Sequence, residues 1–257
     1  MFQENLFKGK TVLVTGGGTG IGFEIARQYL ALGAEVYIAS RKKEKLEAAM
    51  LKFHHYGDTQ AKAYVLDIRE TQSIKNLADI IESQSGKLDI LINNAGGQFP
   101  SPAELITENG WRAVVNTNLN GTWFVMQEMA KRFFFNQTQS SIVNIVLNNF
   151  KGFPGMSHSA AARAGVMNLT KTLAIEWVNK GVTINCVAPG IIQSSGLENY
   201  PQELVKGLSD KIPMKRLGTV EEVAELTLFL SHTRYITGET IHIDGGNRLW
   251  GDMWEIS

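Results

Sequence analysis

Cysteine is almost missing from this chain: one of 257 residues, Cys186. No intrachain disulfide can form. The position of Cys186 inside the apolar run 182–188 predicts a reduced thiol packed in a core. Net charge is missing as well, because 25 Lys and Arg balance 25 Asp and Glu. Nucleic acid and polyanionic surfaces usually demand a basic face, so neither is an expected partner, although a local basic pocket stays open. No run of about 18 continuous apolar residues occurs, so no transmembrane helix is expected. Residues 1–10 lack the apolar core of a signal peptide, and the last three, Glu255-Ile256-Ser257, are not a peroxisomal Ser-Lys-Leu address. A cytoplasmic location is expected, with no metal site. Pro/Ser-rich linkers, internal repeats and low-complexity blocks are also absent, which points to one domain over 1–257.

What is present is a regular alternation. Short β-branched apolar runs occur at 11–15, 35–39, 63–66, 90–92, 142–146, 183–187 and 241–243. Between them lie helix-like segments near 20–32, 42–54, 71–84, 104–117, 119–136, 157–179 and 219–231. Strands apolar throughout are those of a parallel sheet covered on both faces. Strand–helix alternation then implies right-handed βαβ units in one doubly wound α/β sheet of about seven strands. A hydrophobic fraction of 44% suits a core of that size. The segment 191–212 breaks the rhythm; its length and its Ser194, Ser195, Gly196 and Pro201 predict a substrate lid.

Residues 15–22 read Thr-Gly-Gly-Gly-Thr-Gly-Ile-Gly between the first strand and the first helix. Glycines let the backbone approach a pyrophosphate, and the helix N-terminus offers it free N–H groups and partial positive charge. The second strand ends Ser40-Arg41-Lys42. A carboxylate there would take ribose hydroxyls and favour NAD. Its absence, with a guanidinium that can grip a 2′-phosphate, favours NADP(H); the other reading is that Arg41 and Lys42 are solvated residues opening a helix.

The Gly16, Gly20, Gly22 spacing, Asn93-Asn94-Ala95-Gly96, Pro189-Gly190 and Asp244-Gly245-Gly246, in this order over roughly 8–248, resemble the short-chain dehydrogenase/reductase superfamily. The resemblance implies a Rossmann-type fold. It places cofactor against Gly16, Gly18, Thr19, Gly20, Ile21, Ser40, Arg41, Asp67, Ile68, Asn94, Ala95, Gly96, Arg163, Pro189, Gly190 and Ile192. It also implies a homotetramer, with one interface from the helices near 104–136 and 157–179; the tail tryptophans Trp250 and Trp254 suit an interface too.

The catalytic positions depart from that superfamily. Where it usually places a Tyr, three residues and a Lys, this chain has Ser159 and Arg163; where a Ser is usual after the fifth strand, it has Val146 and Leu147. Ser is a far weaker acid than Tyr, and Arg keeps its proton. Positions 159 and 163 share a helix face, so Ser159 can hold a substrate oxygen and Arg163 the nicotinamide ribose. Asn118 matches the superfamily's water-holding Asn, a role compatible with bonding backbone. Asn148 and Asn149 are either amide donors to the substrate or turn formers, and His158 is expected to pack or cap.

The stretch from Gly152-Phe153-Pro154 to His158-Ser159-Ala160 and on to Arg163-Ala164-Gly165, together with Gly96-Gly97-Gln98-Phe99, is most like the branch of peroxisomal trans-2-enoyl-CoA reductase and 2,4-dienoyl-CoA reductase. This implies fatty acid metabolism and an acyl-CoA substrate. Reduction of a conjugated thioester leaves an enolate that needs holding more than protonation, which suits the Ser–Arg pair. Phe99 and Phe153, with Phe150, Met156 and Leu197, either line an acyl tunnel or are core. Tyr200 is either an acid or an apolar lid contact. Lys211, Lys215 and Arg216 either meet CoA phosphates or are solvated. The alternatives are a 2,4-dienoyl-CoA or ketone reductase, and a catalytically silent NADP-binding sensor or scaffold.

Overall fold

Seven of the apolar runs pair as parallel strands in the computed structural model, which describes residues 2–56, 60–197 and 205–249. They are β1 (Thr11–Thr15), β2 (Glu35–Ser40), β3 (Ala61–Val65), β4 (Ile90–Asn93), β5 (Ser140–Ile145), β6 (Val182–Pro189) and β7 (Thr240–Ile243). Their order across the sheet is β3-β2-β1-β4-β5-β6-β7. The helices are α1 (Gly20–Ala31), α2 (Lys43–His55), α3 (Thr71–Ser85), α4 (Glu108–Val115), α5 (Thr122–Arg132), α6 (Ser157–Trp177) and α7 (Val220–His232).

The period of two along each strand sends side chains to alternate faces. Val12 and Val14 join one core with Ile25, Phe53 and Leu228; Leu13 joins the other with Leu77, Ile81 and Met126. Each such fully buried side chain contributes about 1.5–3 kcal/mol. The sheet centre also carries polar groups, and they are paired. Asn93 donates to Asn144 (2.9 Å), Asn144 donates to Thr170 Oγ1 (3.0 Å), and that hydroxyl meets Cys186 Sγ at 3.1 Å. Cys186 is the expected core thiol, and burial pushes its pKa up to about 11.

Two segments differ from expectation. The helices expected at 104–117 and 119–136 are one continuous path: α4 runs into a π turn at Asn116–Gly121, which runs into α5. Both flanks keep helical periodicity, so the extra residue of the π turn is invisible in the pattern. Within 191–212, Ile192–Gln193 forms a short parallel ladder with Gly218–Thr219, and Ser209–Lys211 is a 3₁₀ turn. Tyr200 and Pro201 lie outside the described residues, as do Trp250 and Trp254.

The order of strands fixes where a site can form. From β1 the sheet grows one way to β2 and β3, and the other way to β4. The chain segments leaving β1 and β4 therefore diverge, and a crevice opens at their carboxyl ends.

Candidate active site

The crevice is a cleft of about 330 Å³, within the range of small-molecule sites. Its walls include Gly16, Gly18, Thr19, Gly20, Ile21, Ser40, Arg41, Asp67, Ile68, Asn94, Ala95 and Gly96, all expected from the sequence. Gly16 holds φ +68°, a left-handed conformation that favours glycine. At Gly22 a Cβ would collide with Asn94 Nδ2 and with the Gly16 carbonyl. Asn94 explains this crowding: Nδ2 donates to the carbonyls of Thr15 (3.1 Å) and Gly16 (3.2 Å), while Thr15 Oγ1 accepts from the N–H groups of Asn94 and Ala95. The β1–α1 turn is thus bolted to the segment after β4. Helix α1 begins without a side-chain cap or an acidic residue in its first turn, so its leading N–H groups face the cleft and could hold a pyrophosphate.

At the far end of the cleft stand three exposed cations, Arg41, Lys42 and Lys45. None is in an ion pair among the described residues. Lys45 was not anticipated from sequence, because a lysine on an exposed helix face is ordinary; its signal is its spacing, one turn beyond Arg41. Asp67, expected among the cofactor contacts, lines the cleft, but its carboxylate is gripped by Arg69 (2.9 Å to Nε), which holds its pKa below the usual range. The cleft is closed over Gly20 by Ser194, Ser195 and Gly196, which were not among the expected cofactor contacts.

Toward β5, behind Gly96, lies a polar cluster of Asn118, Ser159 and Arg163, none of which lines the cleft itself. Asn118, fully buried in the π turn, accepts from Gly97 N–H at 3.0 Å and donates to Gly97 O at 2.9 Å. A third contact runs from Asn118 Nδ2 to Ser159 Oγ at 3.4 Å. The structure joins Asn118 to Ser159, and Asn118 also pins the loop after β4. Thr122 Oγ1 donates to the Asn118 carbonyl, one turn back, at 3.0 Å. Ser159, also fully buried, donates to Gln98 Oε1 at 2.6 Å. Gln98 is a contact that the sequence reading missed. His158 packs edge-on to Phe99 (centroids 4.5 Å apart) and accepts the Ser159 N–H at Nδ1, the packing role expected of it.

Arg163 is half-buried on the same helix face. Its Nη1 donates to the Ile145 carbonyl at 2.6 Å, and it has no carboxylate partner among the described residues. Burial lowers its pKa to about 10, so it stays charged at neutral pH. The site offers a hydroxyl, amide groups and a fixed cation. The described tyrosines lie elsewhere: Tyr29 and Tyr37 are in the cores, Tyr64 bonds Gln84, and Tyr56 and Tyr235 are exposed.

Several expected residues are placed elsewhere. Asn148 donates to Asp244 Oδ2 at 2.8 Å and accepts from Phe150 N–H, so it locks the turn after β7 rather than facing Ser159. Asn149 donates to the Ala160 carbonyl. Pro189 is a buried end of β6, Gly190 abuts Asp244 Cα, and Ile192 is core; none lines the cleft. Phe150 is exposed beside His242 instead of lining a tunnel, and Phe153 is half-buried in a turn. Arg216 is committed to Glu222 (2.7 Å) and Lys215 to the Asp210 carbonyl.

A family model described as Enoyl-(Acyl carrier protein) reductase matches residues 16–248. The chain is 38% identical to the probable 2,4-dienoyl-CoA reductase of Bacillus subtilis (strain 168), over 93% of this chain and 97% of that protein. It is 34% identical to the 3-oxoacyl-[acyl-carrier-protein] reductase FabG of Thermotoga maritima, over 93% and 98%. Among solved structures, it resembles the citronellol catabolism dehydrogenase AtuB of Pseudomonas aeruginosa PAO1, with TM-score 0.86 and 39% identity, covering 96% of this chain and 98% of that one.

Proposed function

The chain belongs to the short-chain dehydrogenase/reductase family of nicotinamide-dependent oxidoreductases, and from that premise we propose that it is an NADPH-dependent reductase of the C=C bond of an α,β-unsaturated acyl thioester, an enoyl-CoA. One observation carries this reading. Ser159 and Arg163 stand where a proton-passing pair would be needed for alcohol–ketone interconversion, and no described tyrosine approaches them.

The cleft fits the dinucleotide. Glycine backbone lines the phosphate end, α1 offers uncapped N–H groups, and Arg41, Lys42 and Lys45 would surround a 2′-phosphate. When bound, the nicotinamide supplies hydride to the carbon β to the thioester. The chain's own residues then hold what that leaves. Ser159 Oγ–H and the Arg163 charge stabilise negative charge on the thioester oxygen, an effect of the oxyanion-hole kind. Asn118 keeps Gly97 and Ser159 in register. The proton that completes the product goes to carbon from water, so no side chain is required to give up its own. Exposed Trp111 on α4 and Ile175 on α6 support the homotetramer proposal.

NADPH oxidation with crotonyl-CoA, a longer enoyl-CoA, a dienoyl-CoA and a simple ketone tests the reading. Turnover of enoyl thioesters and none of the ketone is expected. Preference for the dienoyl-CoA would move the assignment to the activity in the Bacillus relative's name. A second reading, a silent NADP-binding sensor or scaffold, is favoured by one observation: Ser159 gives its proton to Gln98. Tight NADPH binding with no turnover of any substrate would establish it.

A further inference from the structure

We infer that a second cavity, across the sheet from α6, is a binding site for an aliphatic carboxylate. It opens at the carboxyl ends of β6 and β7 and measures about 390 Å³, within the range of small-molecule sites. Its apolar walls are Ile192, Ile212, Met214, Ile243 and Leu249. None of its lining residues lines the glycine-rich cleft. Ile192 and Ile243 pack on the core of Ile25 and Leu228, whereas Leu173 and Trp177 of α6 belong to the other core. The cavity is therefore separate from both the cleft and the Ser159–Arg163 face. At Gly245 a Cβ would stand 2.8 Å from Ile212 Cγ2, so the returning lid segment packs directly on the turn after β7.

The carboxylates that line this cavity are committed, and the spare groups are donors. Arg216 and Glu222 close on each other with two bonds, at 2.7 and 3.0 Å. Asp244 accepts four: from the N–H groups of Gly246 and Arg248, from Asn148 Nδ2 and from Arg248 Nη1. A carboxylate offers about four lone-pair sites, so Asp244 is saturated. The Arg248 side chain makes one hydrogen bond among the described residues, 3.2 Å to Asp244, and a guanidinium has more N–H donors than this uses. His242 lines the cavity and makes no hydrogen bond at either ring nitrogen among the described residues. Phe150 packs edge-on to its ring. Burial, with the charge of Arg248, holds this imidazole below its ordinary pKa against the pull of Asp244. The ring is therefore neutral at neutral pH and carries one N–H. A carboxylate accepts from both Arg248 and His242, bonds of the charge-assisted kind, and the apolar walls take its hydrocarbon chain. The site lies outside the reductase reading and stands without it.

Calorimetric titration of the full chain with octanoate, 1-octanol and acetate tests the site, with and without saturating NADPH. Octanoate is expected to bind one per chain, equally in both conditions. The alcohol lacks the carboxylate and acetate lacks the chain; each should bind at least about tenfold more weakly. Arg248→Met and His242→Phe should each weaken octanoate by about tenfold or more, the worth of one charge-assisted hydrogen bond, with NADPH Kd unchanged. Octanoate held as tightly by both variants, or the alcohol held as tightly as the acid, would overturn the inference. So would competition with NADPH, no binding of octanoate at millimolar concentration, or a loss confined to Arg163→Met, which would put the carboxylate beside Ser159 instead. If neither variant folds, a crystal structure of the native chain with octanoate decides. A carboxylate on Arg248 and His242 supports the site, and an empty cavity overturns it.

Discussion

The guanidinium of Arg163 rests against the backbone of Gly96. A Cβ at Gly96 would collide with Arg163 Nη2, while Nη1 is held by the Ile145 carbonyl at 2.6 Å. Gly96→Ala should therefore cost about 1–3 kcal/mol, the usual range for overpacking. Arg163→Ala in the same chain should recover part of it, since Asn118 Oδ1 also stands 2.9 Å from that Cβ. A double-mutant cycle by denaturant unfolding measures the coupling; additive effects would show that the two residues do not press on each other.

The same guanidinium sets a conflict between stability and function. With its pKa lowered to about 10, the folded chain releases this proton before the unfolded chain does. Charge on Arg163 thus opposes folding at every pH below about 10, and the opposition lifts as pH rises through 10 toward the ordinary guanidinium value. Arg163→Met is expected to raise the Tm of the cofactor-free protein by a few degrees. Turnover should fall on the order of 10²-fold. Calorimetry and NADPH oxidation check the two signs separately; a lower Tm would contradict the account.

The proposed preference for NADPH is tested at the cations at the end of the cleft. Arg41→Asp should shift the NADPH/NADH ratio of kcat/KM by about 10- to 100-fold toward NADH, the loss expected for a charge-assisted contact. Lys45→Ala should shift it in the same direction by less. An unchanged ratio in both variants would detach these residues from the 2′-phosphate.

Asn148 makes the opposite prediction. Its partner is Asp244, which also accepts from Gly246 N–H and Arg248 N–H. Asn148→Ala should cost about 1–3 kcal/mol of stability by leaving a buried acceptor short of one donor. Its kcat should stay within about twofold of the native value; a loss of 10²-fold without destabilisation would return Asn148 to the oxygen site.

Glu222 closes a capping box with Thr219 at the start of α7, and Arg216 holds its carboxyl pKa down to about 2. A depressed folded-state pKa means stability present above the unfolded value near 4.3 and lost as pH falls toward 2. Thr219→Ala should cost about 1 kcal/mol. Glu222→Gln should flatten the acid limb of the stability–pH curve, read by thermal melts between those values.

What the sequence discloses here is whatever is local. Apolar runs mark the strands, because a strand covered on both faces has no polar side to show. Ser159 and Arg163, four apart, are read correctly onto one helix face. What escapes is whatever depends on distant partners. Gln98 meets Ser159 across 61 positions, and Asn148 meets Asp244 across 96; neither pairing leaves a mark in periodicity. Lys45 escapes for another reason, since an exposed helical lysine looks the same whether or not a phosphate would sit beside it.

The bond between Thr15 Oγ1 and Asn94 N–H joins groups 79 positions apart. The proposed phosphate cradle therefore rests on a contact between distant parts of the chain, and its assembly waits on closing a long loop. A fragment ending before β4 would carry the complete glycine-rich sequence and still have no cradle. On the proposed reading, a dinucleotide would bind the assembled sheet and not its precursors. By mass action, at 100 times its Kd, it would deepen the native state by about 2.7 kcal/mol. The cofactor's concentration thus becomes a control on how long the finished fold persists.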